Sequence, residues 1–231
     1  PSYDVSGQAM GGYMYMNGVS PTSTPLKVNP YLSDYVTAYN ACMTALSAYI
    51  HALKTGKGES IDLAMYETLL SIGQYYLVDY LNAGIKWPRA GARNQNLCGI
   101  GEFQCKDGFL GVCLYGVDQN KHFLETIGLG HLWGTEDIPE DTSGLWLSNP
   151  HADEIQKAFE DYCLEHSKYE IEEDFAAHRI AAQVVLDMED LVKEEHLALR
   201  NTWVDWKTAD GDTFHGLGVF PKFKNNPGEI W

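Results

Sequence analysis

Few residues in this sequence have both the type and the setting for chemistry, and the first of them is Asp34. It stands where an apolar helical period begins. By spacing alone, a carboxylate there reads as an N-cap that accepts a backbone N–H of the first turn. Position 37 is Thr rather than Glu or Gln, so no capping box strengthens the structural use. Gly56-Lys57-Gly58 lacks the spacing of a phosphate loop and follows a helix rather than a strand, which makes it a helix stop. Glu194-Glu195-His196 has no second histidine at zinc-ligand spacing and reads as a solvated helix face. The five cysteines, at 42, 98, 105, 113 and 163, contain no Cys-x-x-Cys pair and are odd in number, which suits reduced thiols. Cys98, Cys105 and Cys113 are expected in the core.

The elements that must position Asp34 follow from the spacing of apolar residues. Val36, Tyr39, Met43, Leu46, Ile50 and Leu53 recur every three or four residues, predicting a helix over 34–54 that Gly56 ends. Glu59 to Leu63 alternates as a short strand would, and Leu69, Ile72, Tyr76 and Tyr80 predict one long helix from Met65 to Ala83. Residues 1–30, rich in Gly, Ser and Pro, read as loop with short structured pieces. Trp87 to Gly101 reads as a crossing linker between domains. Two runs around Asp107-Gly108 predict a hairpin turning on that dipeptide. Helices are expected near 118–127, 151–166, 169–178 and 187–197, and short aromatic strands in 201–220 broken by Asp210-Gly211.

The 231 residues can bury about 70% of their extended surface. Apolar residues at 45% and charged residues at 21% exclude low-complexity disorder. A net charge of -16 argues against nucleic acid or an anionic membrane as a partner. Reduced thiols suit a cytoplasmic protein, and no apolar run is long enough to span a bilayer.

The run Pro30-Tyr31-Leu32-Ser33-Asp34-Tyr35, the helix after it and Thr55-Gly56-Lys57-Gly58-Glu59-Ser60-Ile61-Asp62-Leu63-Ala64-Met65-Tyr66-Glu67 together resemble the central signature of class III CoA-transferases, the CaiB/BaiF family. Gly73-Gln74-Tyr75-Tyr76, the Asp107-Gly108 hairpin and the run Pro221 to Gly228 are similar in particular to those of L-carnitine (crotonobetainyl-CoA) CoA-transferases. The resemblance covers essentially the whole chain, with Ala38 where most members carry glycine. It lacks the family's N-terminal portion and C-terminal end, so the chain reads as a fragment.

The resemblance implies an α/β fold with a Rossmann-like large domain, incomplete here, and a small α+β domain. Residues 1–85 and the return segment 201–231 would belong to the large domain and 86–200 to the small one, in an interlocked homodimer. It implies coenzyme A as substrate and no metal, with CoA passing from a small acyl-CoA to a carboxylate acceptor of the carnitine, crotonobetaine or γ-butyrobetaine type. Asp34 would be the covalent nucleophile. Tyr3 and Asp4 would line the CoA thioester region, Met65 the pantetheine pocket, and Gly99 and Gly101 a reduced form of the glycine loop that covers the site. Lys54, Lys57, Arg89 and Arg93 are the cations nearest to hand for phosphate. Two alternatives stay open. One is a 2-methylacyl-CoA racemase, although Tyr3 stands where that enzyme's His would precede Asp4. The other is a non-catalytic remnant acting as a dimerisation module.

Overall fold

The structure, a computed structural model, describes residues 2–73 and 75–230. The chain opens with two short helices, α1 (Asp4–Met10) and α2 (Tyr13–Met16), where sequence predicted mainly loop. The long helix α3 (Leu32–Thr55) begins two residues earlier than its apolar period indicates, because capping is decided by backbone geometry and not by hydrophobic spacing. It stops as predicted at Gly56, whose φ of 70° and N–H to the Ala52 carbonyl form a left-handed C-cap.

The strand expected over 59–63 is absent. Residues 57–64 have no regular structure and no ladder partner, and alternation alone cannot make a strand where nothing pairs with it. The helix expected from Met65 to Ala83 is two helices, α4 (Met65–Ile72) and α5 (Tyr75–Ala83). Gly73 closes the first by donating to the Leu70 carbonyl. Gln74, part of the motif quoted above, lies outside the described residues.

After an irregular segment come β1 (Ile100–Cys105) and β2 (Gly108–Cys113), an antiparallel hairpin in which Cys105 pairs with Gly108. The turn is therefore Lys106-Asp107, one residue earlier than expected. Gly108 is the positive-φ residue, at 151°, while Asp107 uses its carboxylate to accept from the Lys168 N–H and the Ser167 hydroxyl, both at 2.8 Å. Helices α6 (Val117–Thr126), α7 (Ala152–Glu165) and α8 (Lys168–Ala177) follow close to their predicted places. Strand β3 (Ala181–Val184), which sequence missed, pairs with β2 to complete a three-stranded antiparallel sheet. The helix expected over 187–197 is split into α9 (Met188–Lys193) and α10 (Glu195–Leu199) at Glu194. A separate hairpin, β4 (Trp203–Lys207) and β5 (Thr213–Leu217), flanks Asp210-Gly211.

The core is unevenly distributed. Among the described residues every buried apolar side chain except Leu69 lies between Cys98 and Val184, where Phe103, Phe123, Phe159 and Phe175 pack edge and face together. Cys113, expected in this core, is exposed, because the pleat that turns Val112 and Leu110 inward turns it out. Helix α3 leaves Tyr39, Met43, Leu46, Ile50 and Leu53 exposed. No helix of the described residues is long and apolar enough to cross a membrane.

Candidate active site

The start of α3 is held from outside its own sequence. Its N-cap residue, Tyr31, makes no side-chain cap hydrogen bond, and Asp34 sits two residues inside the helix, in the first turn. Asp34 is thus not the N-cap. The carboxylate that serves the helix end is Asp4, from α1: its Oδ1 accepts the Ser33 N–H at 2.9 Å. Asp34 itself is exposed and has no hydrogen-bond or ion-pair partner among the described residues. Its carboxylate lies free at the positive end of a 24-residue helix.

Asp4 is only 4% exposed and is enclosed by a polar network. Gln8 donates to both of its carboxylate oxygens at 3.0 Å, and the Lys27 ammonium pairs with Oδ2 at 3.0 Å. Lys27 also donates to Asn29 Oδ1 and the Pro30 carbonyl, both at 2.8 Å, which fixes the chain just ahead of α3. Burial pushes the Asp4 carboxyl up, but the donations from Gln8, Lys27 and Ser33 outweigh it and hold the group below the usual carboxylate range.

Helices α1, α3 and α4 meet at Gly7. A Cβ there would lie 2.1 Å from Ser33 Oγ and 3.4 Å from Met65 Cβ, so only glycine allows this approach. The Thr37 and Thr68 hydroxyls, 2.9 Å apart, tie α3 to α4. The fold therefore brings Asp4, Ser33 and Met65 to one helix crossing, with Asp34 next to Ser33 in the chain and exposed, and Tyr3 78% exposed beside Asp4.

Gly99 and Gly101 lie elsewhere, at the start of β1. Gly99, with φ of 68°, packs on Leu114, and Gly101, with φ of 140°, pairs with Val112 and bridges to Arg93. A Cβ on Gly101 would meet the Ala92 carbonyl oxygen, so the backbone of the irregular segment requires this glycine.

Arg89 is not available to a phosphate. Its guanidinium is buried and donates to the Tyr15, Pro21 and Ser23 carbonyls at 3.1, 2.8 and 2.7 Å. Arg93 stacks on the Phe103 ring at 3.7 Å and pairs with Glu160 at 3.3 Å. Beyond Gly11, an apolar cavity of about 290 Å³ is lined by Tyr15, Tyr76, Tyr80 and Trp87, with Lys86 at its rim over the Tyr15 ring. Burial, then its neighbour Tyr75, pushes the Tyr76 hydroxyl up to about 12 and keeps it a proton donor.

Sequence reasoning missed Lys27, Gln8 and Gly7. The last has a readable signal, a glycine inside a helix, which needs a close neighbour to justify it.

The whole chain, residues 1–231, matches the family described as CoA-transferase family III. The fold is similar to that of a CaiB/BaiF family protein from Brucella suis, at 19% identity and a TM-score of 0.72 over 98% of this chain. It is also similar to the Mycobacterium tuberculosis protein Rv3272, in two structures at 16% and 15% identity with TM-scores of 0.78 and 0.75 over 100% of this chain. This chain spans 57%, 59% and 58% of those three chains, respectively.

Proposed function

The chain belongs to CoA-transferase family III, and from that premise we propose that it supplies the nucleophile, Asp34, of an enzyme that moves CoA from a small acyl-CoA to a carboxylate acceptor. The observation that carries this reading is the division of labour at α3: Asp4 serves the helix end, which leaves the Asp34 carboxylate free beside it. An aspartate is ionised at neutral pH and can attack a thioester carbonyl.

The carboxylate oxygen bonds to the acyl carbon and the C–S bond breaks, giving a mixed anhydride and CoA thiolate. The thiolate then attacks the aspartyl carbonyl, releasing the donor acid and leaving an aspartyl-CoA thioester. The acceptor carboxylate attacks that thioester, and the returning thiolate takes the new acyl group, so Asp34 ends as it began. The field of α3 favours the negative charge that develops at each attack.

In this reading Tyr3, Asp4 and Met65 form the wall against the thioester and pantetheine. Asp4 acts there through the helix it caps, because its own oxygens are already taken. Gly99 and Gly101 shape the loop that approaches from the small domain. We assign 1–85 and 201–231 to the large domain, 86–200 to the small one, and the whole to a cytoplasmic interlocked homodimer. The exposed apolar side chains of α3 support packing against more protein. The acceptor is a betaine such as carnitine, crotonobetaine or γ-butyrobetaine, for which the aromatic cavity offers faces to a trimethylammonium group.

The test is Asp34→Ala in a complete version of the protein. It is expected to stay folded and to lose transfer, while wild type treated with hydroxylamine during turnover gives a hydroxamate on the peptide carrying Asp34. Transfer that survives the substitution removes Asp34 from the mechanism, and a preference for oxalate over carnitine refutes the betaine acceptor.

A further inference from the structure

Helices α6 and α8 bring together two histidines and an aspartate far from Asp34 in the sequence. His122 Nε2 lies 3.0 Å from Asp174 Oδ2 and 3.3 Å from the Thr126 hydroxyl. His178, one helical turn beyond Asp174, has Nδ1 at 3.4 Å from Asp174 Oδ1 and 2.8 Å from the Asp174 carbonyl oxygen. The imidazoles of His122 and His178 stack at 3.4 Å with 14° between their planes. One donor atom from each of the three residues falls within a set whose members are all within 4.8 Å of one another.

We propose that His122, Asp174 and His178 form a surface site for one divalent transition-metal ion, independent of the CoA-transfer reading. Ligand atoms at about 2.0–2.2 Å from a tetrahedral metal stand roughly 3.3–3.6 Å apart, so both histidine–aspartate pairs, at 3.0 and 3.4 Å, are near ligand spacing, and the remaining adjustment lies between the two histidines, within the 4.8 Å that bounds the set. Two imidazole nitrogens and one carboxylate oxygen suit zinc, nickel or copper, whereas magnesium and calcium prefer all-oxygen sets. The parallel rings do not yet point their lone pairs at a common centre. His178 must turn, giving up its contact with the Asp174 carbonyl oxygen and its stacking on His122, and its side chain, 45% exposed, has room on the solvent side. His122, at 21%, is the more fixed ligand, and Asp174 already spans both rings. Water fills the remaining position.

The other histidines near carboxylates lack this convergence. His151 meets Asp137 at Nε2 and Glu154 at Nδ1, so its carboxylates approach opposite edges of the ring. Among the described residues His215 has only Asp205 as a carboxylate partner. Sequence spacing does not reveal this set, because His122 and Asp174 are 52 residues apart.

The experiment is titration of the full chain with zinc chloride, in a background where the exposed Cys42 and Cys113 are serine so that thiolates do not compete. One equivalent is expected to bind with micromolar affinity, and cobalt(II) in its place to give the visible bands of a low-coordinate nitrogen and oxygen site. Asp174→Asn and His178→Ala should each weaken uptake at least about tenfold with an unchanged circular dichroism spectrum, and His151→Ala should leave it unaltered. No uptake at roughly 100 μM zinc, or uptake that survives both Asp174→Asn and His178→Ala, overturns the site.

Discussion

Asp4 Oδ1 accepts the backbone N–H of Ser33 at 2.9 Å, so a residue of α1 anchors the first turn of α3 one position ahead of Asp34. The carboxylate that holds the helix and the carboxylate free for chemistry are different residues, 30 positions apart in the chain.

Replacing Asp4 with Ala removes the acceptor for Ser33 and Gln8 and leaves Lys27 without its buried partner. The expected loss is about 2–4 kcal/mol of folding stability. Urea unfolding measures it. On the role proposed for Asp34, the same change in a transfer assay should lower kcat more than it raises KM, because the Asp4 oxygens are spent on Gln8, Lys27 and Ser33 and act through the helix they hold.

The same network makes stability depend on pH. The folded-state pKa of Asp4 is held below that of an ordinary aspartate, so its contribution is complete above the ordinary value and is lost as pH falls through the depressed one. The difference in urea midpoint between wild type and Asp4→Asn should therefore be largest near neutrality and shrink as the pH falls below the ordinary aspartate range. A gap that widens on acidification contradicts the sign.

At Gly7 a single methyl is expected to matter. Gly7→Ala puts a Cβ against Ser33 Oγ and Cβ, and α1 must lift from α3, at a cost of about 1–3 kcal/mol. Gly12→Ala meets no neighbour within 4 Å but sits at φ of 74°, so its cost is one of backbone strain alone. Near-ultraviolet circular dichroism should change at Gly7, where packing moves, more than at Gly12.

Cysteine reactivity should divide by burial. Burial pushes the Cys98 thiol up to about 11, and the Cys105 and Cys163 thiols are likewise raised by burial. Ellman's reagent is expected to label Cys42 and Cys113 quickly and the other three only on unfolding. A third fast equivalent would show that the core opens in the native protein.

What the sequence made legible was whatever rests on local pattern. The α3 period, its stop at Gly56 and the hairpin around 106–108 are all encoded within a few residues of where they act. Asp34 could be singled out, but its freedom could not, because the residue that relieves it of capping is on another helix. Lys27 and Gln8 were invisible for the same reason. Strand β3 is four residues whose identity depends on the edge of β2, and the false strand at 59–63 failed for want of such an edge. His122 and Asp174 came together only through the packing of α6 against α8.

The confinement of the apolar core to Cys98–Val184 sets an order of opening. Amides of β1, β2 and α7 can exchange with solvent only when the phenylalanine cluster comes apart, whereas those of α3 have water along one face and need a smaller fluctuation. Deuterium should enter the chain in two waves, and a protease should trim both flanks before it cuts the middle. Asp34 is carried by the softer part, and its neighbours there are α1 and α4 rather than the phenylalanine cluster.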